Sequence, residues 1–376
     1  MEQSKHVRLC KLVVMEKRPR LQSVNVYLLF NTEFPANSID IRLKPDKIQI
    51  FSDKNAEEIS CMDFKIHQDS ISSLVLKNDF ATFRFCTSNL NNELGTFKSD
   101  IVEIVEIEND TENFNLHKVL DTNFKYDIKC IHCLQYFCKG VQFKKILPLP
   151  SENADFGEWF CHAPTSNFKF DVLNPEISDL FYSSCYFHIN LSLLKDGISF
   201  SEGSRILCKN CSFELGKLEK KAVCKLWFHT ACLHFNNSRY ESQPLEDCFR
   251  AIRNCLNNSV VGSYRILFYY ESPQKSDFIF LWIMEKKLRL YVKDFNGSEF
   301  SDKINKVAKV LFKFTDIATD EEVKKWRSDQ TVVQLEISLV MMTKLREHLN
   351  IMHKYIPENF SVSNGFYISY VSLYNK

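Results

Sequence analysis

The stretch Val24-Asn-Val-Tyr-Leu28 places an apolar residue at every second position, the spacing at which side chains of an extended chain alternate faces. Outward from it the same period recurs at Ile39, Ile41 and Leu43, at Ile48 and Ile50, and at Phe64 and Ile66. It returns at Leu74 and Leu76 and at Phe83 and Phe85. Asn, Asp, Ser and Pro separate these runs, so the region before residue 90 reads as short antiparallel strands of a sandwich or barrel-like domain. Such a domain is a scaffold, and none of its residues suggests chemistry.

Beyond it the pattern changes. Residues 108–123 are polar and read as a linker or exposed excursion, and the cysteine-bearing segment from Cys130 to Cys211 has sparse periodicity. Ala222 to Phe235 then reads as one strand. Pro244 to Leu256 carries Leu245, Phe249, Ile252 and Leu256 at helical spacing, with proline at the helix start, where a missing N–H costs nothing. Strands follow at Ile266–Tyr270, Phe278–Met284 and Leu288–Val292. Leu335, Leu339, Met342, Leu345, Leu349, Met352 and Ile356 step by threes and fours, which predicts an amphipathic helix of roughly six turns ended by Pro357. A last strand spans Phe366 to Leu373. The expected fold is α+β: a β-rich N-terminal domain (1–125), a zinc-stapled middle segment (126–216) and an α+β C-terminal half (217–376).

Composition narrows the function. The chain has 376 residues, enough for two domains or one two-lobed unit. With 32 Phe but only 9 Gly, it fills a core readily and lacks the glycine-rich loops that cradle phosphates. A formal charge of +1, with no long block of one sign, argues against direct nucleic-acid binding. The short run Lys217 to Lys221 reads as a solvated turn. Phe278 to Met284, the longest apolar run of the C-terminal half, is far below the ~20 residues of a membrane span. The N-terminus carries no secretory signal pattern, so a cytoplasmic or nuclear protein is expected. There the 14 cysteines should be thiols or metal ligands rather than disulfides.

The strongest chemical signal is Cys130-Ile-His-Cys133 together with Cys208-Lys-Asn-Cys211. Each Cys-x-x-Cys turn aims two sulfurs at one point, and two turns complete the tetrahedral shell of a structural Zn²⁺. The bland alternative is two unrelated cysteine pairs. Cys138 could replace a member of the first pair. If one ion joins both pairs, it staples two distant segments with the stretch between them looped out. Cys248 and Cys255 fall on or beside an apolar helix face and read as core thiols. Cys224 and Cys232, with His229 and His234 nearby, could form a second metal site, though a strand of buried thiols is the simpler reading.

A second informative stretch is Leu147-Pro-Leu-Pro-Ser-Glu-Asn153, followed by Glu158-Trp-Phe-Cys-His162. Two prolines stiffen the backbone, and Trp159 beside Cys161 and His162 offers an aromatic anchor with two soft ligands. The loop either inserts into a partner or packs Trp159 on its own domain.

Taken together, the Cys-x-x-Cys, the PLPSEN run, the Glu-Trp-x-Cys-His ending and the later Cys-x-x-Cys closing on Leu215-Gly216 resemble the HECT-like, ubiquitin-conjugating-enzyme-binding family. The resemblance implies ubiquitin-protein ligase activity, with ubiquitin taken from a conjugating enzyme and passed to a substrate lysine. It also implies that the conjugating enzyme docks on about Leu218 to Tyr240. A further implication concerns the loop Pro148, Pro150, Ser151, Glu152, Asn153, Trp159, Cys161 and His162. It would engage the metallo-β-lactamase-fold endonuclease of pre-mRNA 3′-end cleavage, with the Cys161 thiolate reaching that enzyme's zinc. The chain departs from the family pattern in carrying Ala154 where members tend to have Trp, and in a shorter spacer before Glu158. A HECT ligase also forms a thioester on a cysteine of its C-terminal lobe, whereas here no cysteine follows Cys255. Two functions therefore stand: a ligase, and a non-enzymatic adaptor or chaperone whose loop caps the nuclease zinc site.

Overall fold

The computed structural model describes residues 8–35, 38–53, 55–61, 64–88, 120–150, 174–194, 197–220, 222–257, 264–295 and 305–373. The chain divides into two units built from interleaved segments. One takes Met1–Asn113, Ile283–Phe312 and Leu349–Lys376, and the other Phe114–Trp282 and Lys313–His348. This division departs from the linear one expected, 1–125, 126–216 and 217–376. Periodicity reports which face a residue occupies and is silent on which distant strand it will pair with.

In the first unit, Cys10–Arg18, Ser23–Phe30 and Phe80–Ser88 pair antiparallel in that order. Cys10–Arg18 also pairs with the later part of Ser276–Asp294, from Leu12 opposite Asp294 to Lys17 opposite Arg289. Alternation divides Cys10–Arg18 between two cores. Val13 and Met15 join Val24, Val26, Phe83 and Phe85 in a cluster with Leu43, Ile48, Ile50 and Ile59. Those last residues come from a three-stranded sheet, Asp40–Lys44, Lys47–Phe51 and Ala56–Ser60. Leu12 and Val14 face the other way, onto Leu290, Val307, Met352 and Tyr370. Among these apolar side chains Glu16 is fully buried. It holds Lys309 Nζ at 2.6 Å and accepts from Tyr370 Oη at 2.5 Å and from Asn25 Nδ2 at 3.1 Å, the pairing a buried charge requires.

In the second unit two sheets enclose one core. The smaller runs Tyr136–Gln142, Lys125–Cys130, Ala231–Phe235, Ser238–Tyr240, and all of its pairs are antiparallel. The larger runs Lys145–Pro148, Asp179–Tyr182, Tyr186–Asn190, Val223–Trp227, Glu214–Lys220, Arg205–Cys208, Ile198–Phe200. Its first pair is parallel. Tyr126 and Ile128 of the one meet Phe187, Ile189, Ile206 and Leu226 of the other in a common core. The segment expected as a single strand, Ala222 to Phe235, is two strands in different sheets. A 3-10 turn at Phe228–Thr230, fully interior, carries the chain from one sheet to the other.

Three helices complete the described structure: α1 (Pro244–Asn257), α2 (Glu321–Ser328) and α3 (Leu339–His353). The last is shorter than the spacing predicts. Leu335 lies instead in the strand Val332–Glu336, which pairs parallel with Tyr264–Glu271, and its paired valines favour that conformation. The two strands expected at Phe278–Met284 and Leu288–Val292 are one, Ser276–Asp294. The polar Glu285-Lys-Lys287 between them continues the extended chain. Asn305–Thr315 is a strand that the sequence reading missed. Lys217 belongs to a strand rather than a solvated turn, and its ammonium sits 3.0 Å from Glu336 Oε1.

Gly216 is the tightest point of the larger sheet. A Cβ there would lie 1.8 Å from the Lys225 carbonyl oxygen, which is backbone and cannot swing aside. Gly216→Ala is therefore expected to cost about 3 kcal/mol or more, read as a lowered denaturation midpoint with an unchanged m-value.

Candidate metal centre

The four cysteines of the two Cys-x-x-Cys pairs converge, their sulfurs all within 4.8 Å of one another. Cys130 Sγ lies 3.7 Å from Cys211 Sγ, and Cys133 Sγ lies 3.5 Å from Cys208 Sγ. A tetrahedral ion bonded at ~2.3 Å requires sulfurs about 3.8 Å apart, close to the two short separations, so the donor set is compatible with one metal ion.

Local backbone geometry explains the convergence, and it is the same in both turns. Cys130 ends its strand, and the chain folds back so that Leu134 N–H donates to Cys130 O (3.0 Å) and Cys130 N–H to Gln135 O (2.8 Å). In the second turn Ser212 N–H donates to Cys208 O (2.8 Å) and Cys208 N–H to Phe213 O (2.9 Å). Each turn needs a left-handed residue just after its second cysteine, supplied by Leu134 (φ 59°) and Ser212 (φ 57°). Neither is glycine, so both turns carry the strain of a side chain in that region. His132 and Phe213 stack across the two turns, ring centroids 5.7 Å apart.

The centre sits where the two sheets meet. Cys130 terminates a strand of the smaller sheet and Cys208 one of the larger. Thr230, at the chain's crossing between sheets, fastens the junction. Its hydroxyl donates to a main-chain carbonyl, with Leu215 O at 2.8 Å and Trp227 O at 2.7 Å, and its carbonyl accepts from Ile131 N–H at 3.0 Å. The described residues between the two turns are not looped out: they form strands of both sheets, layers that a shared ion would staple.

Burial pushes the Cys130 and Cys208 thiols up. Burial acts the same way on Cys133, but hydrogen bonds from Asn210, from the Gln135 backbone and from the neighbouring thiols overcome it and bring that group down to about 6. Without an ion the site thus keeps protons on its deeper thiols and concentrates charge on the shallower Cys133. A cation held by Cys130, Cys133, Cys208 and Cys211 would reverse this by taking four thiolates, and four sulfur ligands would leave it no position for a reacting water.

Cys138 lies outside the cluster, buried in the smaller sheet, and burial raises it to about 12. Among the described residues no second group of metal-ligating side chains comes together. Cys232 instead accepts from Arg239 Nε at 3.1 Å, and His229 is held elsewhere. Pro148 ends the exposed edge strand Lys145–Pro148, and Pro150 follows it. Ser151, Glu152, Asn153, Trp159, Cys161 and His162 lie outside the described residues. The segment Leu218–Tyr240, given by resemblance as the docking region, is largely core: Val223 to Leu233 are buried, and only its two ends reach the surface.

Sequence reading missed one constellation. Ser338 Oγ lies 2.9 Å from His229 Nε2, and His229 Nδ1 lies 3.1 Å from Asp247 Oδ2. Asp247 also accepts from Ser242 Oγ (2.8 Å) and faces Arg250 (3.1 Å). The order of atoms is that of a hydrolytic serine, histidine and aspartate. All three residues are buried, however, and Ser338 Oγ accepts from Met341 N–H (3.0 Å) as the cap of α3. The chain is a clip: His229 joins the cap of α3 to the first turn of α1. No spacing rule flags it, because its members meet only through tertiary packing.

The chain is a sheet-rich α+β protein in which two distant Cys-x-x-Cys turns come together in a four-cysteine cluster compatible with a metal site. The chain belongs to the HECT-like ubiquitin-conjugating enzyme (E2)-binding family, whose model matches residues 16–368. It is similar to a mouse E3 ubiquitin-protein ligase, 21% identical over 279 residues covering 66% of this chain and 74% of that protein. The human protein of the same name is 23% identical over 282 residues, covering 65% of this chain and 72% of its own length. No solved structure matches.

Cys208→Ser should lower the bound metal from about one ion per chain to near none; an undiminished content, measured by elemental analysis, would refute the shared site. Because the ion must displace protons from the raised Cys130 and Cys208 thiols, affinity should fall as pH falls and rise as it increases, read by chelator competition across the neutral range. His229→Ala, which strips two partners from buried groups, should cost about 3 kcal/mol in denaturant titrations and leave the metal content unchanged.

Proposed function

We propose that this protein is a ubiquitin-protein ligase that binds a charged conjugating enzyme and promotes transfer of ubiquitin from that enzyme's cysteine directly to a substrate lysine. The lysine amine attacks the thioester carbonyl, an isopeptide bond forms, the carbon–sulfur bond breaks and the conjugating enzyme's thiol is released. This chain forms no thioester in that scheme. Membership of a family described by its binding of conjugating enzymes supports the partner, and the names of the mouse and human relatives support the ligase reading.

The observation that carries the direct route is the state of the cysteines. Among those described, Cys86 is exposed, while the others are buried or belong to the four-cysteine centre. Burial pushes Cys61, Cys138 and Cys224 up to about 12. A nucleophilic thiol needs the opposite, a lowered pKa and access to its partner. The ion of the four-cysteine centre is zinc on this reading, since a closed shell of four thiolates is the donor set of structural zinc. It would supply folding energy rather than reactivity, on the order of 10 kcal/mol at neutral pH.

The test is single-turnover discharge of a panel of ubiquitin-charged conjugating enzymes onto lysine. Wild type, Cys86→Ala and Cys161→Ala should accelerate discharge equally, with no thiol-sensitive ubiquitin adduct on this chain in non-reducing gels. An adduct that vanishes in either variant would replace the direct route with a covalent one.

A further inference from the structure

We propose that the four-cysteine centre is a redox-sensitive staple: a peroxide converts it into two disulfides that cross between the turns, joining Cys130 to Cys211 and Cys133 to Cys208. The inference concerns the centre alone and does not rest on the ligase reading.

The pairing follows from which sulfurs face each other. Cys130 Sγ and Cys211 Sγ are 3.7 Å apart, and Cys133 Sγ and Cys208 Sγ 3.5 Å. Both contacts run from one turn to the other. Each also joins a fully buried residue, Cys130 or Cys208, to a half-buried one, Cys211 or Cys133. A small oxidant therefore meets a shallow cysteine first, and the sulfur facing it is deep and belongs to the opposite turn. An accessible thiolate with a second thiol poised beside it is the arrangement that stops oxidation at a reversible disulfide.

Hydrogen peroxide suffices as the oxidant. The Cys133 thiolate attacks one peroxide oxygen, a sulfur–oxygen bond forms, the oxygen–oxygen bond breaks and hydroxide leaves, giving a sulfenic acid. The Cys208 thiolate then attacks the Cys133 sulfur, the disulfide forms, the sulfur–oxygen bond breaks and a second hydroxide leaves. The two thiolates supply the two electrons that the peroxide takes up. Cys211 and Cys130 repeat the sequence with a second peroxide. Burial makes the deep cysteines poor nucleophiles toward a diffusing partner, but a sulfur held 3.5 Å from its target needs no encounter. Closing each gap to a bonded ~2.05 Å asks for about 1.5 Å of combined movement.

Contacts other than the sulfurs keep the two turns facing each other. Ile131 N–H donates to Thr230 O at 3.0 Å, the Thr230 hydroxyl lies 2.8 Å from Leu215 O, and His132 stacks on Phe213. Crossing bridges also close long loops, since the paired residues lie 81 and 75 positions apart, whereas a bridge inside one turn would close a loop of two intervening residues. In the chain-entropy account the longer loop removes far more freedom from the unfolded chain. Crossing bridges thus hold the sheet junction closed after oxidation. A sulfur in a disulfide is no thiolate donor, so bridging and ion binding exclude each other.

Treatment of the purified full-length chain with hydrogen peroxide, followed by peptide mapping without reductant, tests the assignment, while a zinc-sensitive dye reports released ion. The map should contain one peptide linking Cys130 with Cys211 and one linking Cys133 with Cys208, each about 2 Da lighter than its two halves together. Bound ion should be lost in step with them, and the near-ultraviolet circular dichroism should be kept. A dithiol reductant with added zinc should restore the starting state. Cys86→Ala should give the same map, because that exposed thiol lies outside the centre. Crossed peptides that form with no ion released would remove the metal from the centre and still support the proposal. Bridges inside the turns, Cys130 with Cys133 and Cys208 with Cys211, would overturn it. Sulfinic or sulfonic acids at these positions without a bridge would do the same, as would four cysteines that stay reduced while Cys86 is oxidised.

Discussion

Four sulfurs meet at the junction of two sheets in the second unit. Each sheet contributes one strand end, at Cys130 and at Cys208, and each strand end turns through the same backbone path with a left-handed residue after its second cysteine. That conformation costs about 1 kcal/mol or more for Leu134 and Ser212. Thiols 3.5 and 3.7 Å apart would gain little from one another alone. Coordination of a metal ion would be an interaction large enough to offset both costs, and the four sulfurs are placed compatibly with it.

From that junction the constraint spreads through main-chain bonds and packing. Ile131, inside the first turn, donates to Thr230, and Thr230 is the last residue of the turn that carries the chain between sheets. Its neighbour His229 reaches the other way, to Asp247 of α1 and to Ser338 at the cap of α3. One 3-10 turn therefore connects the metal centre to two helices. Its side chains are buried and its polar groups are partnered, as an interior of low dielectric demands. This also explains why the segment that runs through it makes a poor docking surface: its residues are occupied with holding layers together.

The expected functions divide according to what such a scaffold can do. A centre with four sulfurs and no open position holds layers and does no catalysis. Thiols raised by burial are likewise poor nucleophiles. What remains available is exposed surface. The family to which the chain belongs is described by its binding of conjugating enzymes.

Much of this was legible in the sequence because the governing signals are local. Alternation at Val24, Val26 and Leu28 and at Ile48 and Ile50 marked strands, since a period of two follows from backbone geometry alone. The helix at Pro244–Asn257 announced itself by its proline and its spacing, and the two Cys-x-x-Cys pairs by ligand stereochemistry. What only the tertiary structure decided was long-range. Leu335 satisfies a helical period yet pairs as a strand with Phe268, because a buried edge was available to it. Ala222 to Phe235 reads as one strand but bends between two sheets, because Thr230 finds carbonyl partners in the fold that the sequence cannot display. Ser338, His229 and Asp247 lie far apart in the chain, and the interleaving of the two units follows pairings that no local pattern encodes. Periodicity and ligand spacing are properties of a few adjacent residues; partnership across the chain is set by the packing of the whole.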